Sequence, residues 1–77
     1  MFHMMNMMLK IDFGKRVKSL RQKKNLSQEE FAFRIGMDRS YLASVELGKR
    51  NISLENIYKI SKGLEISLSE FFKGIGG

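Results

Sequence analysis

Four times along this chain an apolar residue precedes a Ser or Asp, and a second apolar residue stands four positions after that polar one. The sets are Leu26-Ser27 with Phe31, Met37-Asp38 with Leu42, Ile52-Ser53 with Ile57, and Ile66-Ser67 with Phe71. A short oxygen-bearing side chain in that place accepts from the free N–H groups of a first helical turn, and the flanking apolar pair clamps the entering chain. Each set therefore marks a helix start. Glu30 and Glu70 follow Ser27 and Ser67 by three residues, the spacing of a reciprocal capping box. Asn25, Gly36, Gly48 and Gly63 stand where the preceding helices should stop.

Upstream of these starts, Leu9, Phe13, Val17 and Leu20 recur at helical spacing, which predicts a first helix from about Leu9 to Lys24. Gly14 inside it costs roughly 1 kcal/mol of helix propensity relative to Ala, so its presence implies close packing against another helix. Helix 4, about Leu54 to Lys62, turns Ile57, Ile60 and Leu64 inward, and helix 5, about Leu68 to Lys73, is short and apolar. The expectation is an all-α chain, a compact five-helix bundle over residues 9–73.

Seventy-seven residues allow one domain, and a chain so short buries only roughly 60% of its unfolded surface. Without Cys it has neither disulfides nor thiolate metal sites, which fits a reducing cytoplasm and leaves dimerisation as the extra support for a small core. His3 stands alone as a would-be ligand, so no metal and no cofactor is expected. No apolar run is long enough to span a bilayer, and MFHMMNMML has neither a leading basic region nor a small-residue cleavage site. Residues 1–8 read as a loose arm and 74–77 as a frayed tail. The net charge of +6 suits a polyanionic partner.

Between Gln28 and Leu47 two short amphipathic segments meet at Gly36. Phe31, Ala32 and Ile35 share one side of helix 2; Leu42 and Val45 of helix 3 point back at Ala32 and Ile35. Arg39, Ser40, Ala43, Ser44 and Leu47 are left as the outward face of helix 3. A face of this kind can enter the major groove N-terminus first, where Arg donates to guanine O6 and N7 and Ser bonds to base edges. Tyr41 adds a ring for a thymine methyl or a hydroxyl for a phosphate, and Ala43 permits close approach.

Gln28, Ala32, Gly36, Leu42 and Val45 fall at positions 1, 5, 9, 15 and 18 of the segment, and in this register it resembles the helix-turn-helix of the Cro/repressor (XRE-like) family. The following GKRNISLENIYKISKGLEISLSEFF resembles the controller proteins of restriction-modification systems. The resemblance implies a lambda-repressor-like DNA-binding domain with helices 2 and 3 as the helix-turn-helix. It also implies that Arg21 pairs with Glu46 to brace helix 1 against helix 3, Arg21 lying near a phosphate as well. Gln28, with Ser27 at the start of helix 2, would hold a phosphate, aided by the helix dipole. Lys49, Arg50 and Asn51 form a second backbone clamp, and Arg50 also reaches a base.

Double-stranded DNA is then the partner, bound by a homodimer at a pseudo-palindromic operator beside its own and an endonuclease gene. RNA polymerase is a further partner for any activating role. Leu68, Phe71 and Phe72 are the candidate dimer surface, since one small bundle hides only part of all three. A phage-type or toxin-antitoxin repressor has the same DNA chemistry. An interaction module that has lost DNA binding predicts an acidic or apolar outward face on helix 3, which Arg39, Ser40 and Ser44 oppose. An enzyme is the weakest reading, because no nucleophile-base pair, metal spacing or phosphate loop is present.

Overall fold

The computed structural model describes residues 2–73 and Ile75, with side chains from Met7 onward. Among these residues the chain forms five helices and no strand: α1 Phe2–Lys23, α2 Gln28–Arg34, α3 Arg39–Glu46, α4 Leu54–Gly63 and α5 Leu68–Phe72. Among the described residues no helix is long and apolar enough to cross a membrane.

All four expected caps are present. Ser27 Oγ accepts from the Glu30 N–H at 3.0 Å, Asp38 Oδ2 from Tyr41 at 3.2 Å, Ser53 Oγ from Asn56 at 3.2 Å and Ser67 Oγ from Glu70 at 3.0 Å. The Ser27–Glu30 box is reciprocal, with the Ser27 N–H donating to Glu30 Oε1 at 2.9 Å. At Ser67 only one half forms. The Glu70 carboxylate lies instead 3.6 Å from Lys73 Nζ.

One boundary and one turn residue differ from expectation. The first helix begins at Phe2, so residues 2–8, expected as a loose arm, make about two further turns of α1. Methionine is a good helix former, and neither Gly nor Pro interrupts this stretch; apolar periodicity begins only at Leu9 and had set the earlier boundary. Leu9 itself is exposed, because α1 runs past the bundle and the core closes one turn later at Phe13. The second difference is the reversal after α4. It uses Glu65 at φ 61° rather than Gly63, and Gly63 is small for a different reason: a Cβ there would meet the Ile35 side chain and lie 3.0 Å from Phe31 Cε1.

The core is Phe13, Val17, Leu26, Phe31, Ala32, Leu42, Val45, Ile60, Leu64 and Phe71. α3 packs chiefly on α1 and α2. Gly14 allows that approach, since a Cβ at this point would stand 2.6 Å from the Glu46 carbonyl oxygen. Phe71 closes the far end with its ring edge-on to Phe13, centroids 5.2 Å apart. Its exposure is 0%, so it belongs to the protomer's own core and leaves the expected dimer surface to Leu68 and Phe72. Arg16 holds this short helix down by donating to the carbonyls of Glu70 (2.9 Å) and Phe71 (3.0 Å). The tail expectation falls mostly on Gly74, Gly76 and Gly77, outside the described residues; Ile75 donates its N–H to Phe72 O at 3.1 Å and packs on the core. His3 lies outside the described side chains.

Candidate nucleic-acid interface

The corner between α2 and α3 is built from backbone upward. Gly36 takes φ +67°, a left-handed value that L side chains resist, and the Met37 N–H returns to Ala32 O at 2.8 Å. Ala32 is buried at the contact, so the two helices approach closely.

A polar network then locks the corner to α1. Arg21 donates through Nε to Glu46 Oε2 at 2.7 Å, through Nη2 to Oε1 at 2.9 Å and through Nη1 to the Leu26 carbonyl at 2.7 Å. Gln28 Nε2 reaches the same Glu46 Oε1 at 2.9 Å. The hydrogen bond to Glu46, joined by its charge and opposed by burial, raises the Arg21 pKa above its ordinary value. Paired forks of this kind fix orientation as well as charge. Arg21 is buried and committed to these three acceptors, so it serves as the ion-pair brace and is not presented to a phosphate.

With α3 fixed, its faces separate. Leu42, Val45 and Glu46 are buried, Arg39 and Ser40 exposed, and Tyr41, Ala43 and Ser44 half-buried along the outward side. Ser44 Oγ donates to Ser40 O at 3.0 Å, which leaves its acceptor lone pairs outward. Asp38 is spent on capping. After α3 the chain turns at Gly48, φ +76°, beside the Ile11 backbone, and leaves Lys49, Arg50 and Asn51 exposed in the loop that follows. Among the described residues the salt bridges engage Arg21, Lys24 and Lys73, and none uses Arg39, Lys49 or Arg50.

At the start of α2, Ser27 already accepts from Glu30 and gives its own N–H to the Glu30 carboxylate, so its hydroxyl hydrogen is its remaining donor. Gln28 keeps one amide N–H beyond its bond to Glu46.

Sequence reasoning missed two features. Arg50 lies over the Tyr41 ring, its guanidinium carbon 4.9 Å from the centroid, while Asn56 Nδ2 donates to the Tyr41 hydroxyl at 3.2 Å. Leu54 and Tyr58 of α4 are also exposed, at 77% and 52%. Their i, i+4 spacing, away from Ile57 and Ile60, was a signal available in the sequence.

The sequence pattern of the HTH_3 helix-turn-helix family matches residues 17–71, from the last third of α1 into α5. The chain belongs to this family. Within it, the chain is similar to control protein C.MunI of a Mycoplasma species, with 56% identity over 68 residues covering 87% of this chain and 92% of that protein. The restriction-modification controller protein C.AhdI from Aeromonas hydrophila matches in structure with a TM-score of 0.77 and 50% identity, over 80% of this chain and 94% of that one. The controller C.Esp1396I, solved as a tetramer in complex with its natural 35 base-pair operator, gives a TM-score of 0.79 at 32% identity, over 84% and 86% of the two chains. This HTH_3 fold thus recurs in proteins that control restriction-modification systems.

Proposed function

We propose that this HTH_3 protein is a sequence-specific DNA-binding regulator, the controller of a restriction-modification system, acting as a homodimer on a pseudo-palindromic operator. The observation that carries the reading is the face of α3. Its inner residues are clamped by the Arg21–Glu46–Gln28 network, while Arg39 and Ser40 stand free at the helix start and Arg50, from the loop that follows the helix, lies over the neighbouring Tyr41 ring. A helix so held enters the major groove as a rigid body, and Lys49 in the loop after it meets the phosphate backbone.

In this reading Arg39, Ser40, Tyr41, Ala43, Ser44 and Arg50 face the bases, and Gln28, Lys49 and Asn51 the backbone. One domain covers few base pairs, so a second copy supplies the other half-site, its recognition helix roughly 34 Å away. Leu54 and Tyr58 of α4 join Leu68 and Phe72 of α5 as the apolar surface for that copy. Similarity to C.MunI over nearly its full length, and the operator complex of C.Esp1396I, support the controller assignment. The targets are its own and the endonuclease gene, and an activating role adds RNA polymerase as a partner.

Selection from random duplexes, run with the wild-type protein and with Arg39→Ala, tests this. A palindromic consensus that relaxes at the Arg39 position in the variant is expected, since a bidentate arginine–guanine contact contributes about 1–3 kcal/mol of discrimination. No enrichment by the wild-type protein at low salt removes the proposal.

A further inference from the structure

Tyr41 and Asn56 occupy the same place in successive helices. Each is the third residue of its helix, and each gives its backbone N–H to the cap, Tyr41 to Asp38 and Asn56 to Ser53, both at 3.2 Å. Their side chains join across the loop between α3 and α4, Asn56 Nδ2 donating to the Tyr41 hydroxyl at 3.2 Å. Both are half-buried, while Arg50, in the loop they bracket, is exposed and lies over the Tyr41 ring, its guanidinium carbon 4.9 Å from the centroid. A ring on one helix, an amide on the next and a cation between them form a single unit.

The chemistry of each contact decides what that unit does. A tyrosine without a hydroxyl partner can turn about its side-chain bonds; one whose oxygen is held by an amide on a neighbouring capped helix stays in place. An arginine whose guanidinium carbon lies over an aromatic ring is held there by its charge and keeps N–H groups free on the side away from the ring for bidentate donation to guanine. The amide occupies only a lone pair of the hydroxyl, so the O–H hydrogen remains free to donate.

We propose that Asn56, which lies outside the recognition helix, is a positioning residue for base reading: it holds the Tyr41 ring as the platform that aims Arg50. The inference rests on the DNA-reading function argued above. It makes base preference at the Arg50 position depend on a side chain of α4 and assigns Asn56 a role through Tyr41 rather than by touching DNA.

The test compares full-length wild type with Asn56→Ala, Tyr41→Phe, the double variant and Arg50→Ala. Each is measured on the duplex selected by the wild type and on its single-base variants, across a salt series. Asn56→Ala and Tyr41→Phe should each lower discrimination roughly three- to tenfold, part of what a bidentate contact supplies, at the base pair where Arg50→Ala loses it. Discrimination at the Arg39 position and the salt slope should stay as in wild type, and the double variant should lose no more than either single one.

Tyr41→Phe keeps the ring and the fold, which separates loss of aim from loss of structure. The proposal is overturned by wild-type discrimination in Asn56→Ala, by a loss spread evenly over all positions, or by an Arg50→Ala protein that discriminates as wild type does. A wild-type protein that selects no sequence removes the DNA-reading function itself, whereas a selected consensus indifferent to Asn56 removes only this inference.

Discussion

Gly14 sits mid-helix, where propensity alone favours Ala by roughly 1 kcal/mol. The backbone of α3 decides otherwise, because a Cβ at that point would lie 2.6 Å from the Glu46 carbonyl oxygen and backbone cannot step aside as a side chain can. Overpacking of this kind costs about 1–3 kcal/mol, so Gly14→Ala should lower the melting temperature in spite of the better helix former. A rise in Tm would mean that α1 and α3 stand further apart. Glu46 tests the same contact through charge. Removing it leaves the buried Arg21 guanidinium with the Leu26 carbonyl as its one protein acceptor, and breaking a buried pair costs about 3–5 kcal/mol. For a small domain with a total of about 5–15 kcal/mol, urea unfolding of Glu46→Ala should show a large fall in midpoint. Arg21→Met with Glu46→Leu should recover part of it. The close packing at Gly14 was legible in the sequence, since a glycine inside a helical pattern implies it. The Tyr41–Asn56 bond was not, because a polar pair 15 residues apart has no periodicity to announce it.

The four internal helix starts were legible because capping is local chemistry: Ser27, Asp38, Ser53 and Ser67 each answer an N–H three residues away. Where local signals ran out, so did the reading. Nothing before Leu9 marks a start, and α1 continues to Phe2; α4 stops at Gly63 as expected, but the left-handed residue of that turn is Glu65, and the size of Gly63 answers to Ile35 and Phe31. The α2 cap also has a titration signature. Hydrogen bonds from the Ser27 backbone and side chain lower the Glu30 pKa from its usual 4.5, with Arg34 assisting. Its folded-state pKa is therefore below its unfolded one, so the stabilisation is complete above about pH 4.5 and is lost as pH falls through the folded value. Glu65, lowered by Lys24, acts in the same direction and window. Glu30→Gln keeps a side-chain acceptor for the Ser27 N–H and removes the titratable carboxyl group. Melting temperatures measured from neutral pH to pH 3 should fall less steeply for this variant than for wild type; parallel curves would show that the box does not titrate.

Phe71 is enclosed completely while Leu54, Tyr58, Leu68 and Phe72 stay at the surface, where the proposed second copy would cover them. Leu54 is the most exposed of the four and lies in the first turn of α4, outside the core, so charging it should spare the fold and strike only the contact between copies. Leu54→Asp, with its acid near a helix N-terminus, is also favourable to α4 itself. Sedimentation equilibrium should therefore show a folded monomer for Leu54→Asp and, on the proposed assembly, a dimer for the wild type. DNA binding supplies an independent count. If each subunit neutralises about three phosphates, at about 0.9 counterion released per phosphate, log K for the dimer falls against log salt with a slope near about −5. The monomeric variant should give about half that slope on the same duplex, together with a large loss of affinity. A substituted protein that remains dimeric, with the full slope, would take Leu54 out of the interface and leave it to Leu68 and Phe72. A monomer with an undiminished slope would show instead that one subunit makes all the phosphate contacts, contrary to a two-half-site operator.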